Sequence, residues 1–141
     1  MTEMSTMDPV VVSWKNEGLR FEARTSGGTI DLASGLDEPG SGSAPMQTLA
    51  VALGGCTGMD VVSILRKMRQ PIEAFRVEVS GEKAEEHPKR FTSLEVVYYF
   101  KGDLDPKKVE RAIGLSEDRY CSVAAMLKAT ATITSRYVIE S

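Results

Sequence analysis

Apolar and polar residues alternate along the first third of the chain. Leu19, Phe21 and Ala23 interleave with Arg20, Glu22 and Arg24, the period of a half-buried strand. Val10–Trp14 is rich in strand-forming residues, and turn chemistry follows at Asn16–Gly18 and again at Ser26–Gly28. With a return over Thr29–Leu32, the pattern predicts a three-stranded meander. The stretch "GLDEPGSGSAP", residues 35–45, breaks every period and reads as a loop. It ends with Ser43 placed to cap a helix and Pro45 suited to its first turn.

From Pro45 the period changes. Apolar residues at 46, 49, 53, 56, 61, 64, 65 and 68 predict a helix running to Met68 or Arg69. Its basic end, "RKMRQP", suits a helix C-terminus, and Pro71 stops it. Residues 49–62 are apolar on nearly every side, as in a helix enclosed by its own structure or by a partner. Alternation then resumes at Phe75, Val77 and Val79. After the polar turn "AEEHPKR" it continues at Leu94, Val96, Tyr98 and Phe100, completing a hairpin. Asp105 and Pro106 open a second helix, with Gly114 near its end. A third is expected from Ser116, carrying Cys121, Ala124, Ala125 and Lys128 on related turns. Thr130–Ile139 is a closing strand rich in β-branched residues. The predicted order is β-β-β-α-β-β-α-α-β, an α+β fold. It occupies a single domain over 10–141, after a polar segment over 1–9 expected to be disordered.

Composition narrows the function. The chain has 141 residues, 42% hydrophobic and 26% charged, enough for one core. A net charge of −3 offers no electrostatic footprint for nucleic acid or an anionic membrane. The most apolar run, 49–65, is interrupted by Gly54, Gly55, Gly58 and Asp60, so no membrane span is expected. The opening "MTEMSTMD" is not a secretory signal, and a cytoplasmic location is expected. Cysteines there are free or redox-active more often than bridged.

There are two cysteines, Cys56 and Cys121, 65 positions apart. Both sit among small residues, in "GGCTG" and "YCSVAA". Buried cysteines often only fill space. Glycine, however, disfavours a helix interior by about 1 kcal/mol relative to alanine, and three surround Cys56. Either another backbone packs close there or something must reach the sulfur. The functional reading is a thiol pair. One thiolate attacks a peroxide to become a sulfenic acid, and the other condenses with it to a disulfide. Arg20, Arg24, Arg66, Arg69 and Arg119 are cations able to favour a thiolate, whereas Asp60, one turn after Cys56, opposes ionisation if it faces the sulfur. No metal or cofactor is expected: there is no CxxC, and the single histidine, His87, lies in a polar turn. No GxSxG elbow or P-loop occurs.

The stretches "APMQTLAVALGGCTGMDVVSIL" and "LSEDRYCSVAAMLKATATITSRYVI" resemble the central helix, and the second cysteine helix with final strand, of the OsmC/Ohr family of osmotically inducible and organic hydroperoxide resistance proteins. The resemblance covers about residues 10–140 and is closest to the YhfA-like branch, where "GGC", "DVVSIL" and "YCSVA" recur. It implies an intertwined homodimer whose sheets wrap long central helices, with active sites at the subunit interface. It implies Cys56 as peroxidatic and Cys121 as resolving cysteine, organic hydroperoxides as substrates, and a dithiol or lipoylated protein as reductant. Well-studied members carry a glutamate early in the central helix, paired with an arginine in the N-terminal hairpin. Here that part of the helix reads Met46 and Gln47. Arg20 and Arg24 are near the expected arginine position without matching it, and a one-residue shift in a strand reverses its face. Gln47, Arg20 and Arg24 are therefore candidate supporting residues. The alternative on the same scaffold is a non-enzymatic dimer that binds an apolar ligand or senses redox state.

Overall fold

The computed structural model describes residues 6–36 and 40–140. Part of the segment expected to be disordered (1–5) and part of the loop before the long helix (37–39) lie outside the described residues. Two compact units are present, Met1–Thr48 and Leu49–Ser141.

The first unit holds the expected antiparallel meander: β1 (Val11–Trp14), β2 (Arg20–Thr25) and β3 (Gly28–Ala33), in that spatial order. The β1–β2 turn places Asn16 and Gly18 at φ 63° and 49°, the left-handed region that asparagine and glycine tolerate. Trp14 Nε1 closes it with a 2.9 Å bond to the Gly18 carbonyl. The loop returns beside β3, where Ser43 N donates to Asp31 O at 2.9 Å. A side chain at Gly42 would place its Cβ 2.8 Å from that same carbonyl, so only glycine fits.

Helix α1 (Pro45–Lys67) begins as expected, but its cap differs. Gln47 Oε1 accepts from Ala44 N at 3.0 Å, the reciprocal half of a capping box. Ser43, expected as the cap, instead shares a 2.8 Å hydrogen bond with the Thr48 hydroxyl. At the other end Arg69 adopts φ 59°, while Gln70 N donates to Leu65 O and Arg69 N to Arg66 O. These are the two bonds of a Schellman motif.

In the second unit, β4 (Ala74–Lys83), β5 (Phe91–Lys101) and β6 (Thr132–Glu140) form a sheet in that order. β4 and β5 are an antiparallel hairpin, whereas β6 runs parallel to β5. Parallel neighbours need a crossover. Here it is built from α2 (Pro106–Leu115), a π-helical turn (Ser116–Tyr120) and α3 (Ser122–Leu127). α2 starts as expected, with the Asp105 side chain accepting from Lys107 N and Pro106 in the first turn. The expected inward face of β5, Leu94, Val96, Tyr98 and Phe100, is fully buried with Leu53, Val61 and Leu65 of α1 and Val109 and Ala112 of α2.

The run that the sequence reads as interrupted forms one continuous helix, whose 23 residues meet the length and apolarity of a membrane span by composition alone, as the core helix of a soluble protein also does. The helix continues unbroken through the glycines, two of which, Gly54 and Gly58, pack against β4. Its buried face lies in the core of the second unit, and the opposite face carries exposed Val51 and Met59.

Candidate active site

The three glycines around Cys56 divide into two kinds. A Cβ at Gly54 would lie 3.1 Å from Val79 Cγ2, and one at Gly58 would lie 3.3 Å from Val77 Cγ2 and 3.4 Å from Phe75 Cε2. One helical turn apart, they form a bare strip that brings the α1 backbone down onto β4. Gly55 meets no atom of its own chain within 4 Å. Cys56 and Asp60, also one turn apart, share a different face of α1, and both are half-buried.

Cys121 is not inside a helix, as expected, but ahead of one. The crossover unwinds into the wider π turn, and the chain then extends at Cys121 (φ −75°, ψ 104°), which caps α3. Its Sγ accepts from Ala124 N at 3.3 Å, and its own N–H donates to Ser116 O at 2.7 Å. Glu117 pins this turn. Its carboxylate accepts from Tyr98 Oη at 2.8 Å and from Ser135 Oγ at 2.9 Å, and its carbonyl accepts from Lys128 Nζ. One turn of irregular helix is thereby fixed to β5, β6 and α3. Such π turns often mark functional positions.

The turn delivers Cys121 to α1. The sulfurs of Cys56 and Cys121 and a carboxylate oxygen of Asp60 all lie within 4.8 Å of one another. Ser116, fully buried, donates from Oγ to Asp60 Oδ2 at 2.9 Å and so ties the π turn to α1. Burial, followed by the hydrogen bond with Cys56, pushes the Cys121 thiol up to about 11. Burial likewise raises the neighbouring Tyr98 phenol, which remains a neutral donor.

The two predicted cysteines are therefore together. Gln47, Arg20 and Arg24 belong to the first unit, each with partners there. Gln47 caps α1, Arg20 pairs with Glu17 at 3.2 Å, and exposed Arg24 pairs with Glu22 at 3.3 Å. Asp60 completes the cluster. Its four-residue spacing from Cys56 is the signal in the sequence, where it reads only as a charge opposing ionisation. The role of Ser116 had no sequence signal, since it depends on the π turn.

Comparison with known proteins places this geometry. Residues 38–136 match the family model described as OsmC-like protein. Protein YhfA of Escherichia coli K12 is 39% identical over 132 residues, spanning 91% of this chain and 95% of YhfA. A hypothetical protein from Aquifex aeolicus superposes with a TM-score of 0.83 at 32% identity, covering 98% of this chain and all of that one. The organic hydroperoxide resistance protein OhrB of Bacillus subtilis shares the fold, with a TM-score of 0.62 at 16% identity over 92% of this chain and 96% of its own. The long helix and two small sheets are shared with these proteins, and the chain belongs to the OsmC-like protein family.

Proposed function

We propose that the chain is a thiol-dependent peroxidase that reduces organic hydroperoxides, with Cys56 attacking and Cys121 resolving. The observation that carries this reading is the approach of two sulfurs 65 positions apart to within 4.8 Å. The assignment of roles follows from their surroundings. Cys121 is 3% exposed and its thiol is held protonated at neutral pH, so it is a poor first nucleophile. Half-buried Cys56 is the sulfur an oxidant can reach.

The Cys56 thiolate attacks the terminal oxygen of ROOH, breaking the O–O bond. Sulfur is oxidised to sulfenic acid, and the alkoxide leaves and takes a proton as ROH. The Cys121 thiol then displaces water from the sulfenic acid to form a disulfide. A dithiol, small or carried as a lipoyl group, returns both thiols by exchange and leaves as its own disulfide. Family membership and the fold shared with OhrB support hydroperoxides as the substrate class. Two free thiols suit a reducing cytoplasm. The exposed apolar face of α1, where Val51 and Met59 are 66% and 76% exposed, supports a homodimer built on that helix.

Cumene or tert-butyl hydroperoxide is mixed with the protein and dihydrolipoamide. We expect catalytic consumption by the wild type, none with Cys56→Ser, and a single turnover with Cys121→Ser that leaves a dimedone-reactive sulfenic acid. Consumption no faster than the Cys56→Ser control overturns the reading.

A further inference from the structure

We propose that the reduced Cys56–Asp60–Cys121 cluster is a binding site for one thiophilic divalent cation, with Zn²⁺ as the best fit. Two cysteines and a distant histidine do not make a metal site by themselves. Asp60 supplies the missing ligand from within the helix.

Three acidic groups converge within 4.8 Å. Among the described residues, Asp60 has no ion-pair partner. Two thiolates and a carboxylate form a ligand set that zinc accepts, leaving the fourth tetrahedral position for water or an added thiol. The sulfurs select zinc or cadmium over magnesium or calcium. Zn–S bonds of about 2.3 Å and Zn–O bonds of about 2.0 Å set neighbouring tetrahedral ligands roughly 3.5 to 3.8 Å apart. Contraction from the present spacing is at most about 1.3 Å, within reach of side-chain rotation.

The surroundings are already those of a ligand set. Ser116 Oγ holds Asp60 Oδ2 at 2.9 Å, leaving the other carboxylate oxygen for the metal. The Ala124 N–H points at Cys121 Sγ from 3.3 Å, a donor that stabilises a bound thiolate. The partly exposed Cys56 side provides the entry.

The site requires only reduced sulfurs and stands apart from the peroxidase reading. If that reading also holds, metal and oxidant compete for the same sulfur electrons. A metal-bound dithiolate, one hydroperoxide and two protons yield the disulfide, ROH, water and the freed cation.

The test is an anaerobic titration of the reduced full-length protein with Co²⁺. We expect one equivalent per chain, an intense thiolate-to-cobalt charge-transfer band, tetrahedral d–d bands, and displacement by Zn²⁺. Cys56→Ser and Cys121→Ser each remove most of the charge-transfer intensity. Asp60→Asn weakens binding at least tenfold, and Ser116→Ala, which keeps all three ligands, weakens it by about 10-fold or more through ligand orientation. Absence of the charge-transfer band, or Co²⁺ affinity unchanged in both Asp60→Asn and Ser116→Ala, overturns the site. Peroxidase activity measured under a chelator is independent of either result, so the two readings fail separately.

Discussion

Cys121 and Cys56 are the same residue type in different surroundings, and that difference gives the pair its direction. A thiol raised to about 11 is overwhelmingly protonated at pH 7. Iodoacetamide is therefore expected to label Cys56 well before Cys121 in the native protein, with mass spectrometry of timed samples reading the order. Cys121 labelling should rise about tenfold per pH unit up to its titration point. Stability follows the same shift. The unfolded thiol ionises near the ordinary cysteine value of 9.0, while the folded one holds its proton to about 11. The folded state is thus favoured below pH 9 and loses that advantage as pH climbs from 9 towards 11. Melting temperatures should begin to fall near pH 9, and Cys121→Ala should make the fall between pH 9 and 10 shallower, the remainder coming from buried Tyr98, whose phenol is also raised by folding. The two cysteines were legible in the sequence as a pair because each sits in a stripped, small-residue setting. Asp60 was legible only as a charge, because helical spacing shows which face a residue shares and not what stands across from it.

At the scale of elements, the sequence located every strand to within a few residues: alternation marked β2, β4 and β5, which each bury one face, and strand-forming composition marked fully exposed β1 and the closing β6. The α1 pattern also held, but its cap did not. Gln47 and Ser43 both have suitable polar atoms, and the bond that formed depends on a loop path that pattern alone does not fix. The expected helix over Cys121 failed for a related reason. A π turn has no hydrophobic period of its own, and Ser116, Glu117 and Cys121 are held by bonds to distant elements. The glycine strip on α1 gives an element-scale prediction. Gly54→Leu forces several heavy atoms into the space that Val79 holds, and overpacking of this kind costs about 1 to 3 kcal/mol. Urea denaturation should show that loss, and Val79→Ala added to it should recover part. Equal stability of the single variant and wild type would mean that α1 does not rest on β4 as described.

At the scale of the molecule, α1 offers two unlike faces. One is buried against its own sheet; the other carries Val51, Met59 and uncrowded Gly55. If that second face joins two copies, Met59→Glu should shift the protein from dimer to monomer in sedimentation equilibrium. Wild-type mass at the monomer value over a micromolar range would remove the dimer. That face could be read in the sequence as apolar on every side, but its occupant could not, because one chain's sequence does not distinguish its own core from its neighbour's.

The crossover between β5 and β6 has a last consequence. Linking Cys56 to Cys121 would tie a loop of 65 residues, and chain-entropy arguments value such a tether at about 4 kcal/mol of added stability. Diamide-oxidised protein should then melt at a higher temperature than dithiothreitol-reduced protein, with no such gap in Cys121→Ser. On the proposed peroxidase reading, running out of electrons would leave this molecule idle yet hardened, able to wait out an oxidative episode folded until a donor returns.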